Sequence, residues 1–160
     1  MVIIETCRDF VGRAEHAGGV VRQLDPRNEA DVLGLLRRAG RPGRSHRFAG
    51  TPDQPILPPA AWAAGLFVAD ELTGVARAGD ALRAGQVEAE LFVDEAWRRR
   101  GIGSMLLQET MNWARRAEAA TLRLVCDRND WPMRHFAEKF GARLDLVFGQ
   151  IVADIPLVRL

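Results

Sequence analysis

The run Trp97-Arg98-Arg99-Arg100-Gly101-Ile102-Gly103-Ser104 constrains this chain more than any other stretch. It follows an apolar, strand-like segment, Leu91-Phe92-Val93, and opens an amphipathic helical pattern. A strand must therefore end, turn over glycine and start a helix within one short run. Glycine lets the backbone come close to a ligand. The first N–H groups of a helix have no intrahelical partner, and with the helix dipole they form an anion site. Three arginines add fixed positive charge beside it. The combination asks for a pyrophosphate.

Three kinds of phosphate loop are worth comparing. A Walker A loop ends in Gly-Lys-Ser/Thr after a longer glycine spacing, and the one lysine here, Lys139, lies elsewhere. A dinucleotide fold needs Gly-x-Gly-x-x-Gly after the first strand of a βαβ unit, but Leu106 stands where the third glycine belongs. The third is Arg-x-x-Gly-x-Gly between a central strand and a long helix, here Arg98 to Gly103. In that form the segment resembles the acyl-CoA pyrophosphate loop of the GNAT superfamily of N-acyltransferases. A bland reading, a strand-to-helix turn with solvated arginines, stands beside these.

At 160 residues the chain has the length of one domain with a real core. A net charge of +1 argues against a dedicated nucleic-acid binder. No apolar run approaches a membrane span, and the N-terminus lacks the basic-then-apolar pattern of a secretory leader. Two cysteines, Cys7 and Cys126, make neither a disulfide framework nor a metal site. His16 and His46 complete no set of zinc ligands. A cytoplasmic protein without metal, nucleic-acid or membrane partners is the expectation.

Periodicity sets out the elements. Residues 20–24 read as a strand; Asp25 and Pro26 suit a helix start, and that helix runs to about Gly40. Residues 40–65 are rich in Pro and Gly and look like a long surface segment, with a short helix over 59–64. Residues 66–69 and 74–78 read as a hairpin, and 86–93 as the next strand. Residues 102–119 are the best helix, with Ile102, Leu106, Trp113 and Ala117 on one face. Residues 122–126 are an apolar strand, 132–140 a short helix ended by Gly141, and 144–148 with 150–157 a closing antiparallel pair. Residues 1–19 read as an N-terminal extension and 20–160 as the domain. The order predicts an α/β fold with a mixed, largely antiparallel sheet. It matches the GNAT order, which implies about seven strands, about four helices, and the phosphate loop after the fourth strand.

The resemblance covers residues 20–157 and implies acetyl-CoA as co-substrate, with no metal, and a primary amine as acceptor, either a protein lysine or a small molecule. It also implies which residues hold the cofactor. These are the pyrophosphate loop Arg98, Arg99, Arg100, Gly101, Ile102, Gly103 and Ser104; the strand Leu91, Phe92 and Val93; and Asn129, Met133 and Phe136 near the pantetheine arm. Many members place a tyrosine in the last helix to protonate the leaving thiolate. Ala137 stands there, and the chain has no tyrosine at all. The bacterial Pat-like protein-lysine acetyltransferases share that lack. They are similar to this chain in Arg47-Phe48-Ala49-Gly50, in Glu88, and in Asn129-Asp130-Trp131-Pro132-Met133, one residue longer than their Asn-x-Pro-Met. Members of the superfamily often dimerise, so a homodimer is a further expectation.

Acyl transfer to an amine needs a base, because the amine arrives protonated. Glu88 and Glu90 are the candidates: period-two alternation puts both on one strand face with Phe92. Two carboxylates there would raise at least one pKa by repulsion. Without the resemblance they read as solvent-facing strand residues or as salt-bridge partners for arginines. His135 on the last helix could serve as an acid, but a lone helix histidine is more often a surface residue. A catalytically weak CoA-binding module is the alternative function.

Overall fold

The computed structural model describes residues 18–38, 56–57, 62–79 and 85–157. The expected N-terminal extension, Arg47-Phe48-Ala49-Gly50, Cys7, His16 and His46 lie outside the described residues.

Seven strands form one sheet: β1 (Gly19–Gln23), β2 (Trp62–Val68), β3 (Glu71–Gly79), β4 (Gln86–Val93), β5 (Thr121–Asp127), β6 (Arg143–Val147) and β7 (Gln150–Pro156). Their order across the sheet is β1-β2-β3-β4-β5-β7-β6. Every neighbouring pair is antiparallel except β4 and β5, which run parallel and are joined through a helix. Three α-helices lie among the described residues, against an expectation of about four: α1 (Glu29–Arg38), α2 (Ile102–Arg116) and α3 (Trp131–Lys139). The α/β architecture and mixed sheet are those expected from the sequence.

Alternation along the strands divides the core in two. Val87, Ala89 and Leu91 of β4 join Leu122 and Leu124 of β5, Ala153 and Ile155 of β7, and the buried faces of α2 and α3 in one cluster on the back of the sheet. Phe92 of β4 joins Val75, Phe67 and Leu72 in a second cluster at the front, closed by Val32 and Leu35 of α1 and by Ile56 and Leu57. The helices thus cover the back of the sheet's centre and the front of its β2–β4 part. The front of β5, β7 and β6 carries mostly charged and half-exposed residues.

Two expectations are corrected. Trp62, Ala63 and Ala64 do not form a helix; they begin β2 and pair with Ala78, Arg77 and Ala76. Ala64 also pairs with Gln23 on the other side. Ladders on both sides outweigh the weak local preference of an alanine-rich stretch. Helix α2 ends at Arg116, so Ala117 falls beyond it as an exposed C-cap. Its buried face is Ile102, Leu106, Leu107, Thr110, Met111 and Ala114, with Trp113 half-buried and stacked on Trp62 at 5.4 Å. Asp25 caps as expected, but it caps a 3-10 turn, Pro26–Asn28, that runs into α1.

Gly74 seats α2 on the sheet. A Cβ at that position would come within 2.8 Å of Ile102 and 2.9 Å of Leu106. Gly74→Val is therefore expected to destabilise by about 1–3 kcal/mol through overpacking, measured as a lowered urea midpoint with an unchanged m-value.

Candidate active site

The two parallel strands of the centre are paired only at one end. Gln86, Val87, Glu88 and Ala89 pair with Thr121, Leu122, Arg123 and Leu124. Beyond Ala89 and Leu124 no pairing joins them, although β4 continues to Val93 and β5 to Asp127. β5 keeps its ladder with β7 through Asp127, and β4 keeps its ladder with β3 through Val93. The sheet therefore splits into a wedge. Along it, the backbone groups of Glu90, Leu91, Phe92 and Val93 that face β5 lack a ladder partner, and such groups demand hydrogen bonds from something else.

At the mouth of the wedge lies the arginine–glycine loop. Asp94 caps a 3-10 turn, Glu95–Trp97, by accepting from the Ala96 N–H at 3.1 Å. Its own N–H donates to the Thr73 carbonyl at 2.9 Å, tying the end of β4 to β3. Arg99 and Gly101 then take the left-handed conformation, at φ 62° and 81°. Glycine adopts it without the strain that a Cβ adds. Gly101 is the N-cap of α2 and gives it no side-chain hydrogen bond, and the first turn holds no acidic residue. The first helical bond from this end is Met105 N–H to the Gly101 carbonyl, at 3.0 Å. The N–H groups of Ile102, Gly103 and Ser104 therefore point out of the helix end with the positive pole of its dipole. Arg98, Arg99 and Arg100 are all exposed beside them. The Arg98 Nε donates to the Val93 carbonyl at 3.2 Å, and the Arg100 guanidinium stacks over Trp97 at 4.8 Å. Both contacts hold a cation near the helix end.

Helix α3 supplies the opposite wall. Asp130 caps it by accepting from the Met133 N–H at 3.2 Å. A Cβ on Gly103 would touch Val93 and the Phe136 ring, each at 3.7 Å. Three residues far apart in sequence, one from each element, thus meet beside the wedge. Phe136 is backed by Phe140 at 5.2 Å. Met133 is half-buried and Asn129 exposed on the turn before the helix. Ala137, where relatives of the resembling family carry tyrosine, is fully buried against the back of the sheet. His135 is exposed and faces Glu138, with Nδ1 3.4 Å from the carboxylate. Burial pushes the Cys126 thiol up to about 11, so it is protonated near neutrality and no nucleophile.

Glu88, Glu90 and Phe92 share the front face as the alternation predicts, but the two glutamates have different surroundings. Arg77 of β3 lies opposite Glu90 and holds its carboxylate through Nε at 3.1 Å and through Nη2. The pair is largely buried, with side chains 16% and 14% exposed. Arg77 also donates to the Ile56 carbonyl at 2.6 Å. This face is therefore not one of two bare carboxylates repelling each other: a buried cation compensates Glu90. Glu88 is half-buried at the apex of the wedge, one residue before the last β4–β5 pair. Its rung across the sheet reads Gly79, Glu88, Arg123, Asp154, Arg143, with charges alternating in sign. Asp154 grips Arg123 with two hydrogen bonds of 2.7 Å, which above all else hold the guanidinium in its charged form, with smaller help from Glu88. Arg77, Arg123 and Asp154 were not foreseen. Their partners lie 13 and 31 residues away, and no local pattern marks them.

Among the described residues, no cluster of His, Cys, Asp or Glu could hold a metal ion, and no helix is long and apolar enough to cross a membrane.

A mixed seven-stranded sheet, split between its two parallel strands below an arginine-lined helix end, defines an α/β protein of the acetyltransferase class. Residues 62–141, half of the chain, match the acetyltransferase (GNAT) domain, and the chain belongs to that family. No curated protein sequence matches significantly. Solved structures share the fold. The ribosomal-protein-S18-alanine N-acetyltransferase from Escherichia coli has TM-score 0.70 at 16% identity, over 89% of this chain and 96% of that one. The PaiA N-acetyltransferase from Thermoplasma acidophilum, in complex with coenzyme A, has TM-score 0.67 at 15% identity, over 86% and 98%. The GNAT domain of S. lividans PAT has TM-score 0.66 at 15% identity, over 86% and 89%. These likenesses are about equal, so they establish the fold and no particular branch.

Proposed function

We propose that the chain transfers an acetyl group from acetyl-CoA to a primary amine by direct attack. The observation that carries this reading is the wedge: unpaired β4 backbone running from an arginine-lined helix end to a half-buried carboxylate. Glu88 lies five residues before Val93, roughly 17 Å along an extended strand, a span of the order of a pantetheine arm. The N–H groups of Ile102, Gly103 and Ser104, with Arg98, Arg99 and Arg100, hold the pyrophosphate. The free backbone of Leu91, Phe92 and Val93 pairs with the pantetheine amides, and Met133, Phe136 and Asn129 flank the arm.

Glu88 takes the proton from the arriving ammonium, directly or through one water. The amine nitrogen then bonds to the thioester carbonyl carbon, and a β4 N–H stabilises the oxyanion. The C–S bond breaks and the thiolate leaves; its ordinary acidity makes its need for a proton weak. Glu90 is compensated by Arg77, so Glu88 is the carboxylate that meets the acceptor. A cationic acceptor, a protein lysine or a small amine, suits it. The Pat-like reading favours the lysine, and the cytoplasm is the compartment proposed for it.

Coenzyme A at 100 times its Kd is expected to stabilise the fold by about 2.7 kcal/mol, a rise on the order of 5–10 °C in Tm. Arg98→Ser/Arg99→Ser/Arg100→Ser should lose most of that rise. A larger rise with NAD or ATP than with coenzyme A would defeat the reading. The missing tyrosine supports one alternative, a module that binds coenzyme A without turnover. Coenzyme A binding together with no thiol release across a panel of amines would favour it.

A further inference from the structure

The chain has four tryptophans. Trp62, Trp97 and Trp113 are half-buried and pack on the back cluster. Trp131, at the start of α3, is 58% exposed. A large aromatic ring gains by being covered, and its flat face prefers another ring. We infer, on the reading that the wedge holds coenzyme A, that Trp131 is the platform on which the cofactor's adenine stacks.

Position points there first. β4 and β5 run parallel with Ala89 level with Leu124, so four residues further along each strand Val93 is level with Arg128. Helices α2 and α3 follow these two strands and so both start at the mouth of the wedge. Phe136 of α3 lies against Gly103 in the first turn of α2. Trp131 precedes Phe136 by five residues, about 7 Å of helix, and helical side chains lean toward the N-terminus. Its ring therefore projects outward, past the helix end proposed to hold the pyrophosphate. Coenzyme A carries its pantetheine arm on one side of that pyrophosphate and its adenosine on the other. With the arm in the wedge, the adenosine lies outside the mouth. The acceptor has no claim on this place, because α3 packs on the back of the sheet and Glu88 faces the front.

The ring is also held in place before any ligand arrives. Asp130 caps α3, and Pro132 stands in its first turn, so the backbone at Trp131 is fixed. The Arg134 guanidinium lies over the Trp131 ring, 4.4 Å from its centroid. The Arg134 Nε is buried and has no hydrogen-bond partner among the described residues; the ring is what it packs on. One face of the indole is thus covered by a cation, and the exposure of the side chain leaves the other open. A flat, uncharged base suits that open face, and a platform already fixed has little freedom left to lose on binding. Charge is favourable too. Arg128, exposed on the turn before α3, adds a positive charge where the phosphate-bearing nucleotide lies. The carboxylates of Asp127 and Asp130 are turned to backbone N–H groups, of Asn129 at 2.8 Å and of Met133 at 3.2 Å.

The test is titration calorimetry with coenzyme A, alongside the emission of etheno-coenzyme A, whose fluorescent base dims when it stacks. Trp131→Ala should bind coenzyme A about tenfold more weakly than wild type, within the range typical of losing one base–aromatic stack. Trp131→Phe keeps a smaller ring and should recover most of that affinity. At saturating protein, etheno-coenzyme A should be dimmed by wild type and stay bright with Trp131→Ala. Emission at saturation reports the stack and not the affinity, so a merely structural role for Trp131 would leave it unchanged. Wild-type affinity in Trp131→Ala overturns the inference. So does a bound base that is as bright on wild type as on the variant. Either result leaves the acetyl-transfer reading standing. A wild type that binds no coenzyme A overturns both.

Discussion

Glu88→Gln should lower kcat by about 100-fold or more while leaving the affinity for coenzyme A unchanged. General-base catalysis by a positioned side chain typically contributes 10²–10⁴-fold. The substitution keeps the shape of the side chain and removes only its ability to take a proton. Glu88 faces the front of the sheet at the apex of the wedge, whereas the proposed cofactor cradle is at the mouth. Separation of the two effects is therefore built into the geometry. The measurement is thiol release with saturating amine, alongside titration calorimetry with coenzyme A. At raised pH, where more of the amine is already deprotonated, the variant should regain part of the lost rate. A variant as active as wild type at neutral pH would remove Glu88 from the mechanism. A parallel loss of coenzyme A binding would mean that the residue is structural.

Arg77→Ala should cost about 3 kcal/mol of stability, the loss typical when one partner of a buried ion pair is removed. The reason is less the lost attraction than the Glu90 carboxylate left in a poorly solvated place. The Ile56 carbonyl also loses its donor, leaving the Ile56 N–H bond to Glu29 and apolar packing to hold Ile56 and Leu57 on the front cluster. The diagnostic comparison is Arg77→Ala/Glu90→Ala, which removes the stranded charge. It should be more stable than Arg77→Ala alone, with the coupling read from urea denaturation of the full cycle. If the double variant is no better than the sum of the singles, the pair is not what holds this corner together.

The geometry of the arginine–glycine loop was legible in sequence because all its parts are local. A strand end, glycines at the turn and arginines beside a helix start are fixed by neighbours along the chain. Gly101 has the left-handed backbone that such a turn requires, and α2 begins where the amphipathic pattern begins. The order of elements along the chain was legible for the same reason: most elements carry their own period. Trp62 to Ala64 misled because an alanine-rich stretch has no strong period, and what makes it a strand is the two ladders on either side.

The division between Glu88 and Glu90 was not legible. Both are glutamates on one face of one strand, two residues apart, and alternation treats them alike. Only the assembled sheet brings Arg77 against one of them and the Arg123–Asp154 pair beside the other. The wedge has the same standing. Nothing in residues 86–93 or 121–127 says that pairing stops at Ala89 and Leu124. It is seen only in the assembled sheet, where β4 stays on β3 and β5 stays on β7 beyond that point. The sequence by itself determined the loop, the element order and the family resemblance, because these rest on contacts between near neighbours in the chain. The tertiary structure alone decided which carboxylate is compensated and where the sheet opens. Those depend on partners brought together across many residues, whose positions no local pattern records.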